Sequence, residues 1–132
     1  MKKAVVLLSG GIDSTVCLAQ AESLQYSCYA LSFNYGQKNI AELDAAKKIA
    51  AYFHAHEHKI FDLPIDQLGK SALLNRNMHI PKHGEEQDIP TTYVPARNTI
   101  FLSIALAWAE TLECYDIFFG ANFEDNLGYP DC

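Results

Sequence analysis

The residues best suited to chemistry form one short string, Ser9-Gly-Gly-Ile-Asp-Ser14, followed by Thr15. Paired glycines carry no Cβ, so their backbone amides can lie close against a ligand. A helix starting within the string adds its first N–H groups and the positive end of its dipole to the same concavity. Ser9, Ser14 and Thr15 bring hydroxyl donors for phosphate oxygens. Asp13 would repel a bare phosphate, and its functional reading is a ligand to the Mg²⁺ that accompanies pyrophosphate. The candidate nucleotide-binding residues are therefore Leu8, Ser9, Gly10, Gly11, Ile12, Asp13, Ser14 and Thr15. Spacing excludes two other phosphate loops. No lysine follows the glycines as in G-x-x-x-x-G-K-[ST], and adjacent glycines with no third do not fit G-x-G-x-x-G. The plain structural alternative is a tight turn whose helix is capped by Asp13 or Ser14.

Such a loop must be held between a strand and a helix, and the flanking pattern supplies both. Lys3-Ala-Val-Val-Leu-Leu8 is a short apolar run stopped by glycine, which predicts a buried parallel strand. Residues 13–25 predict a helix with Val16, Leu18, Ala19 and Leu24 on its apolar side. A second strand is expected at 29–33, and a helix at 39–54 with Ile40, Leu43, Ala46, Ala50 and Phe53 at helical spacing. A third strand is expected at 58–63 and a fourth at 115–120. Between those two strands, residues 97–113 predict a helix with a wide apolar surface from Ile100 to Leu112. Residues 69–92 hold Pro81, Gly84 and Pro90 and keep no period, so they are expected to form an insertion or lid beside a site. Alternating strands and helices imply one α/β domain, a Rossmann-like parallel sheet of about four to five strands with helices on both faces. Ligands of such sheets sit outside the carboxyl ends of the strands, where the segments after Leu8, Phe33 and Gly120 all fall.

Ser-Gly-Gly-x-Asp-Ser opening the first helix resembles the PP-loop of the N-type ATP pyrophosphatases, a group with the adenine nucleotide alpha hydrolase-like fold. Phe33-Asn-Tyr-Gly-Gln-Lys38 with Glu42, Tyr93-Val-Pro-Ala-Arg-Asn98, and Asp125-Asn-Leu-Gly-Tyr-Pro-Asp-Cys132 are similar to segments of the 7-cyano-7-deazaguanine synthases. Ala96 stands where those enzymes usually read glycine, and Leu127 where they read serine. The resemblance implies an ATP-dependent ligase of queuosine biosynthesis. In that reaction 7-carboxy-7-deazaguanine and ammonia become first the amide and then the nitrile, through adenylated intermediates. ATP and Mg²⁺ are the expected cofactors. The resemblance also implies catalytic roles for Asp13, Lys38 and Arg97, and substrate contacts from Tyr35, Gln37, Arg97, Asn98 and Asp125. Family members carry four zinc-binding cysteines beyond the segment that ends here at Cys132. The chain is thus expected to be an N-terminal part, with no zinc ligand of its own. The expected assembly is a homodimer. The alternatives are another PP-loop adenylating enzyme or an ATP-binding module without chemistry. Thiolases of this group tend to carry C-x-x-C pairs, which this sequence lacks.

Composition narrows the field further. The chain has 132 residues with 49% apolar and 20% charged, enough for one domain with a core and too few for two. A net charge of −6 argues against a nucleic-acid footprint, which needs clustered positive charge. No window approaches the roughly 20 apolar residues of a membrane span, and Ala4 to Leu8 is too short for a secretory core. Four scattered cysteines without a leader are expected to be reduced thiols in cytoplasm. His54, His56 and His58 alternate and in a strand would share one face, expected to be solvated rather than metal-binding. Trp108 and the aromatics of the last strand are expected to belong to the core.

Overall fold

The computed structural model describes residues 1–36, 41–64 and 97–120, side chain of Arg97 excepted. The elements run β1 (Lys3–Leu7), α1 (Ile12–Ser23), β2 (Ser27–Asn34), α2 (Ala41–Tyr52), β3 (Glu57–Asp62), α3 (Arg97–Thr111) and β4 (Ile117–Phe118). All pairings are parallel, in the order β3-β2-β1-β4. Chain direction therefore runs outward from β1 through β2 to β3, then returns to the far side of β1. The reversal lies at β1, where open parallel sheets leave a crevice at their carboxyl edge.

Strand β1 is central and apolar on both faces, with Ala4, Val5 and Val6 fully buried. In β2 the period of two divides the core. Tyr29, Leu31 and Phe33 pack with Val5 under α3, through Ala105, Ala109 and partly buried Ile100, Phe101, Ile104 and Trp108. Cys28 and Ala30 pack with Val6 and Leu8 under α1 and α2, through Leu18, Ala21, Ala46 and Ala50. Helices thus cover both faces, as the alternation of elements requires. Trp108 meets Tyr29 edge-on with ring centroids 5.8 Å apart, inside the first cluster as expected.

Four local expectations are corrected. Helix α1 buries Ser14, Leu18 and Ala21, whereas Val16 is 59% and Leu24 55% exposed. Three small or medium side chains at i, i+4 and i+7 suffice, because the helix lies close against the sheet. Next, Asp13 and Ser14 do not cap α1. Gly11 is the N-cap, in extended conformation and without a side-chain cap bond, and Asp13 sits in the first turn. A carboxylate there still favours the helix dipole. Finally, the histidines share no face. His54 ends α2 in the left-handed region (φ 55°), His56 tilts against Tyr29 at 4.9 Å, and His58 lies within β3 bonded to Ser32. The fourth strand is also shorter than expected, and its flanking aromatics leave the core, Tyr115 at 92% and Phe119 at 42% exposure.

All three described helices stop the same way. Gln25, His54 and Glu113 take positive φ, at 66°, 55° and 53°. The next N–H reaches back five residues in each case: Tyr26 to Ala21, Ala55 to Ala50 and Cys114 to Ala109. These are Schellman ends built without glycine, at about 1 kcal/mol of strain each.

Half-buried His58 has a consequence for acid stability. Burial first, and the charge of Lys47 second, lower its pKa from the ordinary 6.5. The unfolded chain therefore binds that proton more tightly than the folded protein does. Its contribution is intact above pH 6.5 and is lost as pH falls through the lowered folded value. Urea midpoints measured from pH 7.5 to 5 should decline, and His58→Gln should flatten the decline below pH 6.5. An unchanged slope in the variant would remove His58 from the account.

Candidate nucleotide site

The Ser9–Thr15 string leaves the end of β1 and turns directly into α1. Its geometry rests on Gly10 and on three hydroxyls. Gly10 has φ 91°, a region side chains disfavour, and a Cβ there would run into the main-chain carbonyl of Glu42 in α2. Gly11, by contrast, has φ −84°, and among the described residues a Cβ would meet only Ser9 Oγ at 3.4 Å. Gly10 is thus the glycine the fold requires, and Gly11 keeps the approach to the loop open.

Ser14 is turned inward, at 8% exposure. Its Oγ accepts the Ser9 N–H at 3.0 Å and donates to the Gly11 carbonyl at 3.1 Å, with Ser9 Oγ also 3.1 Å away. The Gly11 N–H donates to Ser9 Oγ at 3.2 Å. The Gly11 carbonyl also takes the Thr15 hydroxyl at 2.7 Å and the Thr15 N–H at 3.1 Å, the first helical bond of α1. The hydroxyls of Ser14 and Thr15 therefore brace the loop, while Ser9, Gly11, Ile12 and Asp13 form its exposed rim. A helix start leaves its first amides without carbonyls one turn back, and those amides lie on the same rim.

Beside the loop, a cavity of about 280 Å³ opens at the carboxyl edge of the sheet, floored by Leu7, Leu8 and Leu31. Phe33, Tyr35, Phe101 and Phe119 wall it with aromatic rings, and Ser9, Ser14, Glu42 and Asn98 supply its polar lining. Phe33 and Phe101 stack with centroids 4.0 Å apart and planes 6° from parallel. Asn98 and Phe101 are three residues apart on α3, so one helical face presents both. Gly120 seals the far side, since a Cβ there would press on the Asp13 backbone at 3.0 Å. An apolar aromatic pocket continuous with a polar, amide-rich loop has the chemistry to hold a planar heterocycle and its phosphates together.

Of the residues expected at the site, Leu8, Ser9, Ser14, Tyr35 and Asn98 line this cavity. Gly10, Gly11, Ile12, Asp13 and Thr15 lie in the adjoining loop and first turn. Arg97 opens α3 next to Asn98. Gln37, Lys38, Asp125, the 69–92 insertion, Tyr93 to Ala96 and the segment ending at Cys132 lie outside the described residues. Sequence reasoning did not anticipate the cavity positions of Phe101 and Phe119. Phe119 had a signal, as it falls near the end of the strand expected at 115–120, at the ligand edge, but Phe101 read only as core. Among the described residues no group of three or more His, Cys, Asp or Glu could hold a metal. Asp13 as a single carboxylate nonetheless suits Mg²⁺, which keeps most of its ligands from water and phosphate.

A parallel α/β sheet with a glycine-paired loop between its central strand and first helix defines a nucleotide-binding domain of the PP-loop ATPase class. The chain belongs to the family described as queuosine biosynthesis protein QueC, whose model matches residues 3–132. It is similar to the 7-cyano-7-deazaguanine synthase of Coxiella burnetii (strain RSA 331 / Henzerling II), 58% identical over 132 residues. That match takes in 100% of this chain and 58% of the relative. The enzyme of the same name from Legionella pneumophila (strain Philadelphia 1) is 56% identical over 132 residues, covering 100% of this chain and 58% of its own length. The one from Vesicomyosocius okutanii is 55% identical over 130 residues, 98% of this chain and 56% of the relative. The chain thus spans somewhat over half the length of the curated relatives it matches. No helix among the described residues is long and apolar enough to cross a membrane.

Proposed function

We propose that this chain is the nucleotide-binding part of an ATP-dependent ligase converting 7-carboxy-7-deazaguanine and ammonia to 7-cyano-7-deazaguanine in queuosine biosynthesis. The observation that carries the reading is the juxtaposition at one sheet edge of the Ser9–Thr15 loop and the aromatic cavity holding Tyr35 and Asn98. In this reading the loop amides hold the pyrophosphate of ATP, which is consumed as a substrate. Asp13 takes the accompanying Mg²⁺. Lys38 neutralises phosphate charge, and Arg97 faces the carboxylate or the α-phosphate as charge develops. Tyr35, Gln37, Asn98 and Asp125 orient the deazapurine.

The chemistry explains why ATP is needed. A carboxylate oxygen is a poor leaving group, whereas AMP is a good one, so adenylation precedes attack by ammonia. The reading also includes a cytoplasmic homodimer and a zinc ion held by no cysteine of this chain. Cys28 fits that last point: burial first, then Glu22, push its pKa up to about 11, which disfavours the thiolate a zinc ion needs. The thiol of Cys114 is engaged with the Lys3 carbonyl at 3.1 Å.

The test uses the full-length protein with ATP, Mg²⁺ and a panel of purine-like acids, the products being followed by mass spectrometry. AMP and pyrophosphate should form only with 7-carboxy-7-deazaguanine, and nitrile should appear when ammonia is added. AMP formation with another acid, and none with the deazapurine, would overturn the substrate named here.

A further inference from the structure

Ser32 is 1% exposed, one of two buried polar residues among those described, and stands toward the carboxyl end of β2 facing the α1–α2 side. Its hydroxyl donates to the carbonyl of Leu8, the residue just past the end of the central strand. Its oxygen lies 2.8 Å from His58 Nε2 on β3. A serine hydroxyl has one proton, and that proton goes to Leu8, so the imidazole N–H must be the donor to Ser32. The result is a directed chain: His58 Nε2–H to Ser32 Oγ–H to the Leu8 carbonyl.

The Leu8 carbonyl belongs to the peptide plane that also carries the Ser9 N–H. That N–H donates to Ser14 Oγ at 3.0 Å, and Ser14 is buried as well. One planar unit is therefore gripped at both ends by buried hydroxyls, Ser32 on the carbonyl and Ser14 on the amide. The unit cannot rotate without breaking both bonds. The grip falls just where regular pairing stops, since the β1–β2 register ends at Leu7↔Leu31 and Leu8 keeps one further ladder bond to Leu31 at 2.9 Å. Beyond it the backbone must enter Gly10 at φ 91° and deliver the loop amides to the ligand.

We propose that Ser32, backed by His58, is a positioning residue that clamps the Leu8–Ser9 peptide and so sets the phosphate loop for its ligand. The proposal rests on the reading of Ser9–Thr15 as a phosphate-binding loop. It assigns function to two residues that lie outside the loop in sequence and that the reaction itself does not touch. It also gives β3, at the edge of the described sheet, a role at the site.

Ser32→Ala removes one oxygen and leaves the side-chain volume nearly unchanged. In the full-length protein it should weaken ATP binding about tenfold by calorimetry, the scale of one lost buried hydrogen bond. Exchange of the Ser9 amide, followed by NMR without nucleotide, should become about tenfold faster or more. His58→Leu should reproduce part of both effects, and His58→Gln, which restores an N–H donor of similar reach, should reverse them. A purely structural serine predicts a lower Tm with unchanged affinity and unchanged Ser9 exchange well below that Tm, and this result overturns the clamp. Failure of the wild-type protein to bind ATP would instead overturn the nucleotide reading, while Ser9 exchange would still decide the clamp.

Discussion

Gly10→Ala is expected to destabilise the protein by on the order of 2–5 kcal/mol and to abolish nucleotide binding. Two costs add. A side chain at φ 91° is strained whatever the space around it. The new Cβ would also meet the Glu42 carbonyl group, with its carbon at 3.1 Å and the Ala46 nitrogen at 3.3 Å. Those atoms are α2 backbone, so α2 and the loop must separate, which opens the cavity that Glu42 and Leu43 help to line. Gly11→Ala provides the contrast, because its φ suits alanine and its only near neighbour among the described residues is Ser9 Oγ. That variant should fold with wild-type stability or slightly more, and lose affinity because the methyl group narrows the approach to the amides. Urea unfolding and ATP calorimetry on both proteins decide the matter. A Gly10→Ala protein as stable as wild type would refute the packing of α2 on the loop.

Arg97→Ala is expected to lower kcat/KM of the full-length enzyme by about 2–4 kcal/mol, roughly 30- to 1,000-fold, with stability little changed. Arg97 is the first residue of α3, the helix that carries Asn98 and Phe101 to the cavity. A guanidinium at that position can meet a carboxylate or phosphate with two parallel hydrogen bonds, which an ammonium cannot reproduce. Arg97→Lys should therefore recover only a small part of the loss. If Arg97 merely faced solvent, both variants would turn over like wild type, and measured kcat/KM within twofold for alanine would withdraw the catalytic role proposed for it.

Much of the architecture was legible along the chain because the signals involved are local. An apolar run broken by glycine, then a 3.6-residue period, is enough to order β1, α1, β2, α2, β3, α3 and β4, and alternation alone implies a parallel sheet. The loop string was legible for the same reason, since phosphate cradles need adjacent small residues between a strand and a helix. Helix ends were harder to mark, because Gln25, His54 and Glu113 occupy the left-handed positions where glycine would have been the cue. What sequence could not assign depends on contacts between distant residues. Val16 and Leu24 look like core by type but face outward, because the tight seat of α1 on the sheet selects Ser14, Leu18 and Ala21 instead. Nor does the string reveal which of its two glycines is obligatory, as that follows from the approach of Glu42 on another helix. The aromatic cavity joins Phe33 of β2, Phe101 of α3 and Phe119 just past β4, and each alone reads as ordinary core. The composition of the loop was thus set by the sequence, whereas its shape, its aromatic neighbour and the hydroxyls that hold it came from packing across the sheet.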